Sequence, residues 1–270
     1  MQRNIEVLVT CEHGGNDVPP EYRALFANAQ DALASHRGFD AGAFDVARAL
    51  AGALGARLVA SQTTRLLIDL NRSPRHPRLY SEVTGLLPAD EKRALAARYY
   101  TPYRNEVEEG IIAPAVARGA FVLHVSAHSF TPVLDGAVRN ADVGLLFDPA
   151  RAREAAFVAA WRTALREAAP AWSIRRNYPY RGVSDGFTTH LRRRFAEAAY
   201  AGLELEVNQR LVAGGAWAEH VEVIAGSFLR AVLGFGARPG EGGLKPARAA
   251  RARPPCVPGA RWPKMRGPPR

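Results

Sequence analysis

The residues of this chain best suited to chemistry are His13 and His128, the paired carboxylates Glu204 and Glu206, and the stretch Arg65-Leu-Leu-Ile-Asp69-Leu-Asn71-Arg72. Neutral imidazole is a ready ligand for a divalent metal such as zinc, and a catalytic zinc keeps about three protein ligands and one open position. An arginine fork pairs bidentately with a carboxylate, and a neighbouring asparagine adds a directional hydrogen bond. Arg72 with Asn71 therefore suits a carboxylate-bearing substrate. Residues two apart in a strand share a face, so Glu204 and Glu206 point the same way. A buried glutamate beside a metal-activated water is a good general base. Each group also has a plainer reading: satisfied polar histidines, a solvated loop after a strand, or the exposed face of an edge strand. Spacing alone leaves these alternatives open, because there is no H-E-x-x-H and no cysteine pair. His124, within an apolar run, reads as a core residue or as support for a ligand.

Position strengthens the chemical reading. The run Phe121-Val-Leu-His-Val-Ser-Ala-His128-Ser-Phe130 begins as an apolar, β-branched strand and ends in polar residues. Residues 5–10 run likewise into Cys11-Glu12-His13-Gly14-Gly15, residues 66–68 into Asp69-Leu-Asn71-Arg72, and a strand around residues 202–205 carries Glu204 and Glu206. In open α/β sheets the ligand crevice lies beyond the carboxyl ends of the strands, so four such ends predict one hydrolytic site.

The intervening chain alternates helices and strands. Helices are expected over a short stretch from Pro19-Pro20 to residue 26 and over 46–54, stopped by Gly55. Two more are expected at 89–99 and 103–118, broken at Pro102, and three at 150–168, 189–199 and 216–233. Strands are expected at 5–10, 57–61, 65–69, 121–127, 143–147, 172–176 and 202–206, with a long polar loop over residues 71–88 placed to cover the site. This predicts a single α/β domain, residues 1–235, with a mostly parallel or mixed central sheet and helices on both faces.

Composition narrows the partners. The net charge of +10 is concentrated at the end: residues 236–270 hold nine Lys/Arg against one acidic residue, in a Pro-, Gly- and Ala-rich context without periodicity. That segment reads as a disordered basic tail, and the remaining chain is close to neutral, so no specific nucleic-acid partner is expected. No apolar run reaches the roughly 18 residues of a membrane span, and the first residues lack a signal-peptide core, so a cytoplasmic protein without membrane contact is expected. Two cysteines make no disulfide framework. Cys11, two residues from His13, allows a thiol–imidazole hydrolase as a second reading, although a buried structural cysteine is commoner. A non-catalytic protein binding acidic partners through its tail is a third.

The motifs Cys11-Glu-His-Gly-Gly-Asn-Asp-Val-Pro, Asp40-Ala-Gly-Ala, Arg65-Leu-Leu-Ile-Asp-Leu-Asn-Arg, Ser126-Ala-His-Ser-Phe and Leu203-Glu-Leu-Glu-Val-Asn-Gln-Arg, in this order, resemble the N-formylglutamate amidohydrolase family. The resemblance extends from about residue 7 to residue 233. It implies a fold similar to the zinc carboxypeptidases and the succinylglutamate desuccinylase and aspartoacylase group, with one zinc at the strand ends. It also implies hydrolysis of the N-acyl amide of a small acidic substrate such as an N-acyl amino acid. Carried over by motif, His13 and His128 are metal ligands and Asn71 and Arg72 grip a substrate carboxylate, with Asp69 and Arg65 beside them. Glu206 is the catalytic glutamate with Glu204 in reserve. The desuccinylase-type glutamate ligand falls at Asn16 here, so the third ligand is expected at Asp40, ahead of Glu12 or Asp17. Arg139, Arg181 and Asp185, in polar loops, are further candidates to face substrate.

Overall fold

The alternation of side chains along the strands builds a six-stranded sheet whose two faces differ in kind. The computed structural model describes residues 4–236. Its strands are β1 (Ile5–Cys11), β2 (Arg57–Ala60), β3 (Phe121–Phe130), a small hairpin of β4 (Val133–Leu134) and β5 (Ala137–Val138), then β6 (Val143–Leu146), β7 (Ile174–Arg176) and β8 (Tyr200–Asn208). The sheet order is β2-β1-β3-β8-β6-β7. The neighbours β2, β1, β3 and β8 pair in parallel, whereas β6 lies antiparallel to β8. The sheet is thus mixed, as the expected fold class allowed. The carboxyl ends of β1, β3 and β8 meet at one edge.

The helices are α1 (Gln30–Leu33), α2 (Ala43–Leu54), α3 (Ala89–Leu95), α4 (Thr101–Val107), α5 (Ala113–Ala117), α6 (Ala152–Ala168), α7 (Phe187–Arg194), α8 (Gln209–Ala213) and α9 (Trp217–Gly236). One sheet face, carrying Val9, Leu123, Val125, Ala127, Leu203, Leu205 and Val207, packs in one apolar cluster with residues of α2, α6 and α9. At its centre Trp161 stacks near Phe228 at 4.9 Å and donates its indole N–H to Ser227 Oγ at 3.1 Å. The other face starts apolar with Leu8, Val122 and Tyr200 against α3–α5 and α7. Toward the carboxyl edge the same strands carry Thr10, His124, Ser126 and His128, together with Glu204 and Glu206. That polar half-face is the floor of the candidate site.

Three expectations are corrected. Residues 65–69 form no strand. Leu67 N–H turns back to Thr64 O at 3.0 Å, and the Leu66 and Leu67 carbonyls accept from Ser81 and Thr84 hydroxyls, at 2.5 Å and 2.9 Å. The apolar run is buried, as its composition demands, but as coil whose backbone is satisfied by side chains rather than by a ladder. Pro102 does not break its helix. Residues 89–117 wind on through π turns at Ala96–Tyr100 and Glu108–Ile112, and each π turn ends two residues before a proline, Pro102 and Pro114. The wider turn relieves the clash of the proline ring with the preceding carbonyls. Finally, β3 runs to Phe130, so His128 lies within the strand rather than beyond it. The basic tail lies outside the described residues except for Gly236, which ends α9. Among the described residues no helix is long and apolar enough to cross a membrane.

Candidate functional site

Three segments deliver the donors. After β1, Gly14 N–H bonds to Ser61 O at 3.0 Å, and the chain passes so close to β2's extension that a Cβ on Gly15 would lie 2.5 Å from Gln62 O. Only glycine permits that approach, and it fixes the turn just beyond His13. Asp40 is tied to the same turn by its N–H to His13 O at 2.9 Å. Two residues on, Gly42 adopts φ 77° at the start of α2, packed against Trp217 and Val212, a place no side chain fits. His128 comes from β3, and the parallel register sets Glu206 of β8 directly beside it.

The result is a buried cluster. His13 Nδ1 lies 3.3 Å and His128 Nδ1 2.9 Å from Asp40 Oδ2, and the two imidazole rings stand 5.0 Å apart. One ligand atom from each of His13, Asp40 and His128 fits within a 4.8 Å span. Two imidazoles and a carboxylate make the donor set of a catalytic zinc with one position left for water or substrate, so these residues fit such an ion. Asn16 and Asp17 are exposed, and the Asn16 amide bonds to Leu33 O at 3.1 Å, away from the cluster. Glu12, fully buried, instead accepts from Ser126 and Tyr103.

Around the donors sits a shell of opposite charges. His13 Nε2 meets Asp69 Oδ1 at 2.7 Å, and Arg65 bridges Asp40 (3.2 Å) and Asp69 (2.7 Å). Burial would raise the Asp40 carboxyl, but the charge of His13, hydrogen bonds from both histidines and the Arg65 guanidinium hold it well below the usual range. Burial opposes ionisation of Asp69 too, and Arg65 and His13 again prevail. Burial would lower the His128 imidazole, yet its hydrogen bond to Asp40 and the charges of Asp40, Glu12 and Glu206 push it up to about 10. Glu206 behaves oppositely: burial, reinforced by Asp40 and Glu204 against His128 and Arg65, pushes its carboxyl up to about 8. Its Oε2 is buried without a hydrogen-bond partner.

The remaining predicted residues fall in two groups. Asn71 accepts the Phe187 N–H at 2.7 Å, which turns its amide nitrogen to His128 Nε2 at 3.4 Å. Arg72 lies at the rim, with Nε 3.8 Å from Asp69 and Nη1 donating to Asp185 O at 3.3 Å. Glu204 is half-buried and accepts from Thr188 at 2.8 Å. Arg139 lies apart, stacked on Tyr180 at 5.2 Å and donating to its hydroxyl at 3.1 Å, and Arg181 is exposed on the neighbouring loop. Cys11 faces the opposite side, in the apolar cluster with Ala43, Val46 and Ala47, and burial raises its thiol. That placement removes it from His13.

Sequence reasoning passed over Ser126, Tyr103 and Arg104. Ser126 was legible, because His124, Ser126 and His128 alternate with Leu123, Val125 and Ala127, putting all three polar side chains on one face. Arg104 carries no local signal. It reaches from α4 to the Leu70 and Arg72 carbonyls, both at 3.2 Å, and stacks 4.1 Å over Phe187.

Known proteins share this fold and sequence pattern. A gene product of Agrobacterium tumefaciens is similar in structure with a TM-score of 0.70 and 30% identity, over 86% of this chain and 92% of its own. An N-formylglutamate amidohydrolase from Ralstonia eutropha shares the fold at a TM-score of 0.64 and 19% identity, over 86% and 94%. A metallo-carboxypeptidase from Burkholderia cenocepacia aligns at a TM-score of 0.39 and 13% identity, over 86% and 57%, too distant to argue from. No curated protein matches the sequence. The family model for N-formylglutamate amidohydrolase matches residues 5–213. The chain therefore belongs to the N-formylglutamate amidohydrolase family and is a hydrolase of the amide-cleaving kind.

Proposed function

We propose that the chain is a zinc-dependent amidohydrolase that removes the acyl group, of formyl type, from a small carboxylate-bearing substrate such as an N-acyl amino acid. The observation that carries this reading is the meeting of His13, Asp40 and His128 within 4.8 Å beside a buried, unpartnered Glu206 oxygen. His13, His128 and Asp40 would hold one zinc, which when bound supplies a Lewis acid that polarises the acyl oxygen and makes water more acidic.

Glu206 is the proton carrier. A carboxyl with a pKa of about 8 is poised near neutral pH, where it can both take and return a proton. At Oε2 it takes the proton of the attacking water and passes it to the nitrogen of the leaving amine. Glu204, occupied by Thr188, stays in reserve. Arg72 at the rim, with Asn71, receives the substrate carboxylate. Arg72 and Arg65 are the cations beside the cluster that can face an anionic substrate.

Elemental analysis of the untagged protein tests this. About one zinc per chain is expected, absent from the His13→Ala/His128→Ala variant. Hydrolysis of N-acyl amino acids should stop on chelation and return with zinc. Protein that takes up no zinc, or hydrolyses these amides equally well when chelated, would sink the reading.

A further inference from the structure

We propose that Glu12, acting through Ser126, is the positioning residue of His128 and decides which of its ring nitrogens faces the metal site. The inference rests on the zinc reading above. It follows from hydrogen-bond directions alone. Glu12 is 0% exposed, and two hydroxyls converge on it: Tyr103 OH on Oε1 at 3.1 Å and Ser126 Oγ on Oε2 at 2.5 Å. Its Oε2 also stands 3.4 Å from His128 Nε2, so that ring nitrogen faces a carboxylate oxygen as well as the Ser126 hydroxyl. A carboxylate only accepts, so the single Ser126 proton is committed to Glu12.

Ser126 Oγ also lies 2.8 Å from His128 Nε2. With its own hydrogen engaged, the hydroxyl can only accept there, so Nε2 carries the proton. In the neutral imidazole a metal needs, Nδ1 is then the bare nitrogen, and it is Nδ1 that stands 2.9 Å from Asp40 Oδ2. The Asn71 amide nitrogen, 3.4 Å from Nε2, is too far to compete with the shorter contact. The arrangement matches Asp69 behind Nε2 of His13, so both rings turn Nδ1 inward. A second run of contacts lies along the same polar face: Thr10 Oγ1 meets His124 Nε2 at 2.8 Å, and His124 Nδ1 meets Tyr200 OH at 2.8 Å. Glu12 itself is held to α4 by Tyr103 and to β3 by Ser126.

Ser126→Ala cuts the relay and leaves Glu12 and both histidines in place. Zinc affinity, read by competition with a chelator on the full chain, should fall about 10–100-fold, and Ser126→Thr should restore it to within about threefold. Nitrogen NMR of the zinc-loaded wild type should show His128 protonated at Nε2, and Ser126→Ala should show a mixture of tautomers. If Ser126→Ala fails to fold, Glu12→Gln, which keeps the shape and loses the charge, is expected to weaken zinc in the same range. Wild-type affinity and an unmixed tautomer in whichever variant folds would overturn the relay while leaving the zinc reading standing. A wild type that binds no zinc would overturn both.

Discussion

Glu206→Gln should give a protein that is more stable at high pH and nearly inactive. Glu206 is 5% exposed, its Oε2 has no partner, and burial, backed by the charges of Asp40 and Glu204, pushes its pKa from an ordinary 4.5 up to about 8. Because the folded value is raised, the folded state holds this proton more tightly than the unfolded chain does. The resulting stability is fully present below pH 4.5 and is lost as pH rises through 8. At about 1.36 kcal/mol per pH unit the full loss is on the order of 5 kcal/mol. Glutamine has nearly the same shape and no charge to bury. In chelated protein the variant should therefore match wild type within about 1 kcal/mol at pH 5 and exceed it by about 3–5 kcal/mol at pH 9. Urea unfolding of both proteins at several pH values reads the difference, in which the other titrating groups cancel. With zinc present the variant should keep its metal and lose about 10²–10⁴ in kcat, the usual share of a general base. A stability difference that does not change with pH would refute the electrostatics. Undiminished turnover would refute the role.

Two further substitutions probe the support of the site. Arg104→Met removes the guanidinium that holds the Leu70 and Arg72 carbonyls and stacks on Phe187, so the Asn71-Arg72 segment should loosen. Steady-state kinetics should show KM up about tenfold with kcat within about threefold, and about 2 kcal/mol less stability; an unchanged KM would show that the segment holds itself. Cys11→Ala removes a thiol buried in the apolar cluster, so activity should stay within about twofold and stability fall by about 1 kcal/mol. A hundredfold loss of activity in a folded Cys11→Ala protein would restore thiol chemistry.

What the sequence could and could not disclose follows from the range over which each signal acts. The strands of the site were legible because their period is local: residues 5–10 and the run from Phe121 declare a buried strand without reference to anything else. The segment at 65–69 misled for the same reason. Its apolar residues are buried as surely as a strand's, but its backbone is satisfied by Ser81 and Thr84, which no local pattern announces. The antiparallel β6 was equally hidden, since a strand buried at all four residues can pair in either direction. Glu204 and Glu206 mark the boundary most sharply. Period two puts them on one face, as expected, and yet one meets Thr188 while the other buries an oxygen, Oε2, without a partner. Parity gives the face of a side chain and not its depth. Depth comes from the neighbours, here β3 on one side and β6 on the other, with Gly144 of β6 set opposite Glu206. A general base needs both the right face and a place from which water has been excluded. The first belongs to the strand that carries it, and the second to the sheet that closes around it.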